Sequence, residues 1–99
     1  MPSDPATDAG EAPTYFVYIL GCADGTLYTG IARDVEKRLA EHNGARAGGA
    51  RYTAARRPVR LVYQAPCAGR AAAQREEARI KALTRAEKEA LLRARALQA

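Results

Sequence analysis

The sequence predicts an α+β domain: a three-stranded antiparallel sheet flanked by helices, in the order strand, strand, helix, strand, helix, helix (ββαβαα). Three observations carry this. Two runs of β-branched, aromatic and aliphatic residues, 15–22 and 26–31, flank Ala23-Asp24-Gly25, a hairpin signal. A third run, 59–64, alternates after Pro58, and the segments following Ile31 and Gly69 carry apolar residues at helical spacing. Ninety-nine residues suffice for one domain with a single modest core.

The hairpin has two possible registers. A two-residue Asp-Gly turn would put Tyr18 and Tyr28 on opposite faces. A type I turn closed by Gly25 in the left-handed region pairs Leu20 with Tyr28 and Tyr18 with Gly30, so both tyrosines share one face. The second register is expected because it explains Gly30: glycine weakens a strand unless something must approach closely there.

Asp34 is placed to cap a helix that runs to Asn43-Gly44. Val35, Leu39 and His42 follow at helical spacing, and Arg38 lies one turn before His42, so both polar residues border the buried stripe. Residues 45–58 read as a small, basic, glycine-bearing loop with one helical turn near Tyr52. In the third strand, alternation puts Val59, Leu61 and Tyr63 on one face and Arg60, Val62 and Gln64 on the other. The next helix, 71–83, presents Ala72 or Ala73, Glu76, Ile80 and Leu83 to the core, with Glu77 on the polar side beside Lys81. A carboxylate in an apolar stripe needs compensation, from an arginine or a divalent cation. Thr84-Arg85-Ala86-Glu87 is a capping box that starts a last helix with Ala90, Leu91, Ala94 and Leu97 toward the protein.

Residues 1–14, with three prolines, three acidic residues and no large apolar side chain after Met1, read as a disordered acidic tail ahead of a folded domain at 15–99. The formal net charge is +5, and no acidic residue lies between Glu41 and Glu76, a segment that holds Arg46, Arg51, Arg56, Arg57, Arg60, Arg70 and Arg75. Arginines interleaved with Tyr52 and Tyr63 fit a phosphate-backbone footprint. Cys22 and Cys67 form no metal-ligand pair. There is neither a signal-peptide pattern nor an apolar run long enough to span a bilayer, so the expected setting is a reducing cytoplasm without membrane attachment.

Val17-Tyr18-Ile19 and Tyr28-Thr29-Gly30 resemble the paired tripeptides of the GIY-YIG nuclease family, in the variant form of small single-domain bacterial members. The likeness continues through Asp34 to His42, Arg51-Tyr52-Thr53, the Pro58-led strand, and Arg75-Glu76 heading a helix with Ile80-Lys81-Ala82-Leu83. It spans about residues 15–92. The resemblance implies a GIY-YIG-like fold and a metal-dependent endonuclease acting on DNA, governed by structure or damage rather than by sequence. It further implies catalytic roles for Tyr18, Tyr28, Arg38, His42 and Glu76, with Tyr18 helping to deprotonate the attacking water and Glu76 binding a single Mg²⁺ or Mn²⁺.

Such an ion needs only one protein carboxylate when substrate phosphate and water complete its shell. Lys37, Arg46, Arg51, Tyr52, Arg56 and Arg57 are the expected nucleic-acid contacts. RNA stays open as a polymer, because backbone contacts alone separate it poorly from DNA. The competing expectation is a nucleic-acid-binding module with weak or no catalysis, docked on a repair or recombination protein.

Overall fold

The computed structural model describes residues 13–45 and 47–98, the side chains of 96–98 excepted. The tail 1–14 therefore lies outside the description up to residue 12, as does Arg46, while Thr14 already belongs to the first strand. The elements are β1 (Thr14–Gly21), β2 (Leu27–Ala32), α1 (Val35–His42), the single turn α2 (Arg51–Ala54), β3 (Arg60–Ala68), α3 (Arg70–Lys81) and α4 (Arg85–Gln98). The sheet is antiparallel with strand order β2-β1-β3. This is the α+β architecture the sequence predicts.

The hairpin takes the register in which Tyr18 faces Gly30 and Leu20 faces Tyr28. Its loop closes through Cys22 N–H to Thr26 O (2.9 Å) and Gly25 N–H to Cys22 O (2.9 Å), with Gly25 at φ 85°. Asp34 caps α1 by accepting from Lys37 N–H at 3.0 Å. Thr84 and Glu87 cap each other's backbone ahead of α4, at 2.8 and 3.1 Å. Both are local signals that tertiary context leaves intact.

β1 is the central strand and divides the core. Tyr18, Leu20 and Cys22 point to one face, where they pack with Val35 and Val59, and with Tyr28, Leu39 and Leu61 around them. Val17 and Ile19 point to the other, against Ile80 of α3, with Leu91 and Leu92 of α4 behind.

Two expectations are corrected. Leu61 and Tyr63 lie on opposite faces, because Ile19 pairs with Tyr63 while Leu20 pairs with Leu61, which makes Val62 the extra residue of a β-bulge. In α4, Leu92 joins Leu91 against the sheet while Ala90 and Ala94 are exposed. β3 also continues through Pro66, which an edge strand tolerates because one side of its ladder is unpaired.

Candidate active site

Tyr18 and His42, both fully buried, meet on the α1 face of the sheet. The Tyr18 hydroxyl lies 2.9 Å from His42 Nε2, and the other ring nitrogen, Nδ1, lies 2.8 Å from Thr53 Oγ1 of α2. Glycine makes the approach possible: a Cβ at position 30 would stand 2.6 Å from Tyr18 Oη. The ring therefore lies across the edge strand.

α1 supplies His42 from its last turn, and its end is held by neighbouring backbone. Asn43 exchanges hydrogen bonds with Val59 (2.7 and 2.9 Å), and Arg57 Nε donates to His42 O at 2.7 Å. Tyr28 packs edge-on to His42, centroids 5.0 Å apart, and Tyr52 extends the aromatic cluster from Tyr28 toward solvent at 5.6 Å.

Electrostatics follow from this burial. Burial, and then the neighbouring Tyr28, push the Tyr18 phenol up to about 12, against the nearby positive charge of Arg38. Burial first, then the charges of Arg38 and Arg57, push His42 down to about 4, so the imidazole is neutral at pH 7. Arg38 is itself anchored: one Nη reaches Glu41 at 2.8 Å and Gly48 O at 2.6 Å. It lines an open cleft of about 240 Å³ with Arg33, Lys37 and Glu41.

Helical spacing did not separate the two carboxylates of α3 correctly. The buried line of α3 is Ala73 and Ile80, and at 100° per residue Glu76 and Glu77 flank it on opposite sides. Glu76 forms a bidentate pair with Arg79 (3.0 and 2.5 Å), and Arg79 feels Tyr63 of β3. That guanidinium holds the Glu76 carboxyl below its usual range. Glu77 is the acid whose charge reaches Tyr18, and its partner is Lys81 at 3.2 Å. The compensation foreseen for Glu76 is thus an arginine, and the carboxylate whose charge acts on the phenol is Glu77.

The expected nucleic-acid contacts divide as well. Lys37 and Arg51 are exposed. Arg56 is committed to Asp24 (3.0 Å), to Tyr52 O (2.8 Å) and to the Tyr52 ring, 3.9 Å from its centroid. Arg57 holds the His42 carbonyl. Sequence reasoning did not single out Thr53 or Arg33 as site residues; the first entered only within the Arg51-Tyr52-Thr53 likeness, and the second had as its signal only its position before the Asp34 cap.

The α1 face of an α+β domain thus gathers Tyr18 and Tyr28 from the sheet and Arg38 and His42 from the helix. The GIY-YIG catalytic domain matches residues 14–90, and the chain belongs to this nuclease family. It is 50% identical over 84 residues to the UPF0213 protein DP2720 of Desulfotalea psychrophila, covering 85% of this chain and 76% of that one. It is 48% identical over 82 residues to the UPF0213 protein of Staphylococcus aureus, covering 83% and 98%. The solution NMR structure of the UPF0213 protein BH0048 from Bacillus halodurans superposes with a TM-score of 0.53 at 38% identity, covering 82% of this chain and 84% of that one.

GIY-YIG nucleases generally use divalent metals. Among the described residues no group of three or more His, Cys, Asp or Glu could hold such an ion, and no helix is long and apolar enough to cross a membrane.

Proposed function

We propose that this protein is a metal-dependent endonuclease that hydrolyses phosphodiester bonds in DNA, reading structure rather than base sequence. One observation carries the reading: a buried phenol hydrogen-bonded to a buried neutral imidazole, with an arginine and a carboxylate acting on the same phenol. Burying two polar rings costs stability that an apolar pair would not. A proton-transfer site explains their retention.

Arg38 and Lys37 receive the phosphate in the cleft beside α1, Arg38 with the planar fork suited to two phosphate oxygens. Tyr18, neutral at rest, accepts a proton from the attacking water while its own proton passes to His42 Nε2, so no free phenolate is required. Tyr28 shapes the aromatic wall, and Tyr52 and Arg51 meet the flanking strand. Such contacts address backbone and unstacked bases, which favours structure over sequence.

A single-carboxylate site with waters and substrate oxygens fits Mg²⁺ or Mn²⁺, and Glu77, paired with the exposed Lys81, is the donor we assign to it in place of Glu76, which is held by Arg79. The bound ion supplies charge against the phosphate and a more acidic water. A binding-only module in a repair complex draws on one fact, the raised pKa of Tyr18, which makes the resting phenol a poor base.

The test is a panel of labelled linear, flapped and junction DNAs, with RNA of matched sequence, incubated with Mg²⁺, Mn²⁺ or chelator. Metal-dependent products are expected, with Glu77→Gln slowed at least about 10²-fold and Glu76→Gln within a few-fold of the parent. Substrates bound but uncut by the parent protein would establish the binding module instead. Loss of cleavage in Glu76→Gln alone would return the metal to that residue.

A further inference from the structure

We infer that Thr53 is a positioning residue for the site: its hydroxyl fixes the single histidine of the chain in the Nδ1–H tautomer and so leaves Nε2 free to accept the Tyr18 proton. The consequence for cleavage rests on the proposed nuclease reading. The tautomer itself does not.

The argument starts in α2. Thr53 Oγ1 lies 3.0 Å from Ala50 O, the side-chain to backbone contact that threonine makes across one helical turn. A carbonyl can only accept, so the threonine hydrogen goes there. What Oγ1 then offers the imidazole 2.8 Å away is a lone pair, and Nδ1 must donate. The imidazole is neutral, so Nε2 carries no hydrogen.

The other end of the chain follows in the same direction. With Nε2 bare, the hydrogen in its 2.9 Å contact with Tyr18 Oη has to be the phenol's. The phenol therefore sends its own hydrogen to Nε2. Four groups, Tyr18, His42, Thr53 and the Ala50 carbonyl, form one relay with a single polarity.

A competitor is built in. Ala50 N–H points at Nδ1 from 3.5 Å, a contact that is useful only if Nδ1 is bare. The hydroxyl at 2.8 Å outweighs the amide at 3.5 Å. Without the hydroxyl the preference reverses, because an Nδ1–H left unpaired in a buried site is costly and the amide becomes the nearest partner. Nε2 would then carry hydrogen and face the Tyr18 hydroxyl donor to donor. Thr53 and Tyr18 are both fully buried, so water does not readily mediate the conflict.

Because the chain has one histidine, its ring nitrogens are read without assignment ambiguity in a long-range ¹H–¹⁵N correlation of ¹⁵N-labelled protein at pH 7. The expected result is a protonated Nδ1 and a bare Nε2 in the parent protein and in Thr53→Ser. In Thr53→Val, which keeps the shape and loses the hydroxyl, the hydrogen moves to Nε2 in a measurable fraction of molecules. Cleavage by Thr53→Val falls about 10²-fold through kcat with KM little changed, and Thr53→Ser restores it to within a few-fold.

A parent spectrum with hydrogen on Nε2, or a folded Thr53→Val with the parent pattern, would overturn the inference. If Thr53→Val does not fold, the parent and Thr53→Ser spectra still decide it. If the parent cuts nothing, the nuclease reading falls while the tautomer result stands.

Discussion

Successive residues of β1 look out on two different environments. Val17 and Ile19 meet Ile80, Leu91 and Leu92, a contact made of carbon alone, while Tyr18, clustered with Leu20, Val35 and Val59, also carries a hydroxyl that meets His42, whose other ring nitrogen meets Thr53. The carbon face asks only that volume be filled, and its energy scales with the area removed from water. The Tyr18 face asks that each polar group find its partner in the correct direction, and a single missing hydrogen is felt by the whole chain. Both faces therefore contribute packing, and the hydrogen-bonded groups that could do chemistry are on the Tyr18 face.

Two substitutions test that division, and they carry the largest expected effects. Tyr18→Phe should lower cleavage about 10²–10⁴-fold, since it removes the group that passes a proton to His42. It should leave a cooperatively folded protein that has lost about 1–3 kcal/mol through the unpaired Nε2. Ile80→Ala should do the reverse: a loss of about 2–5 kcal/mol by urea unfolding, with the remaining folded protein cutting at the parent rate. Equal losses of activity in both would mean that the two faces are one coupled unit.

The pH dependence of stability sharpens the same contrast, because the ionisable groups with large shifts are on the Tyr18 face. His42 is pushed down to about 4 in the folded protein from an ordinary 6.5. As pH falls, the unfolded chain takes up this proton first, so stability should decline between about 6.5 and 4, by at most about 3 kcal/mol. Tyr18, pushed up from 10.0 to about 12, works at the other end: the unfolded phenol ionises first, and stability is lost as pH rises through that interval. Urea midpoints between pH 4 and 7 should show the acid slope in the parent protein and lose it in His42→Gln. A slope that survives the replacement would mean that His42 is not its source, since the lowered Glu76 carboxyl gives up its contribution only in a more acidic window, below its ordinary 4.5.

What could be read from the sequence was what local rules decide. The loop Ala23-Asp24-Gly25, the Asp34 cap and the Thr84 to Glu87 capping box each specify their own geometry, and Gly30 already pointed to a close approach by Tyr18. Three features were not legible, for different reasons. The bulge at Val62 answers to the pairing of β3 with β1, a long-range fit with no residue to announce it. Glu76 and Glu77 stand on either side of one buried line, and spacing cannot say which of the two pairs with Arg79 and which acts on Tyr18. Thr53 sits among exposed residues, and its burial depends on where His42 arrives from another helix. The charge pattern, too, overstated the free cations, since Arg56 and Arg57 spend their guanidinium groups on the fold.

The smallest expected effects come from two of the hairpin's glycines, Gly30 and Gly25, which separate a contact from a backbone requirement. At Gly30 the backbone is ordinary, but an added Cβ would stand 2.6 Å from Tyr18 Oη and 2.7 Å from Cζ. Gly30→Ala should cost about 1–3 kcal/mol, and the displaced phenol should lose its bond to His42 and much of its activity. At Gly25 nothing lies within 4 Å, yet φ is 85°, so Gly25→Ala should cost about 1–2 kcal/mol from conformation alone and leave cleavage unchanged. Combining Gly30→Ala with Tyr18→Phe removes the nearest clashing atom but leaves Cζ in place. The two stability losses should therefore sum to more than the double variant shows, with a coupling that the Gly25→Ala and Tyr18→Phe pair does not display. Additivity at both glycines would mean that Gly30 is retained for its backbone after all, and that the ring's position is set from the His42 side only.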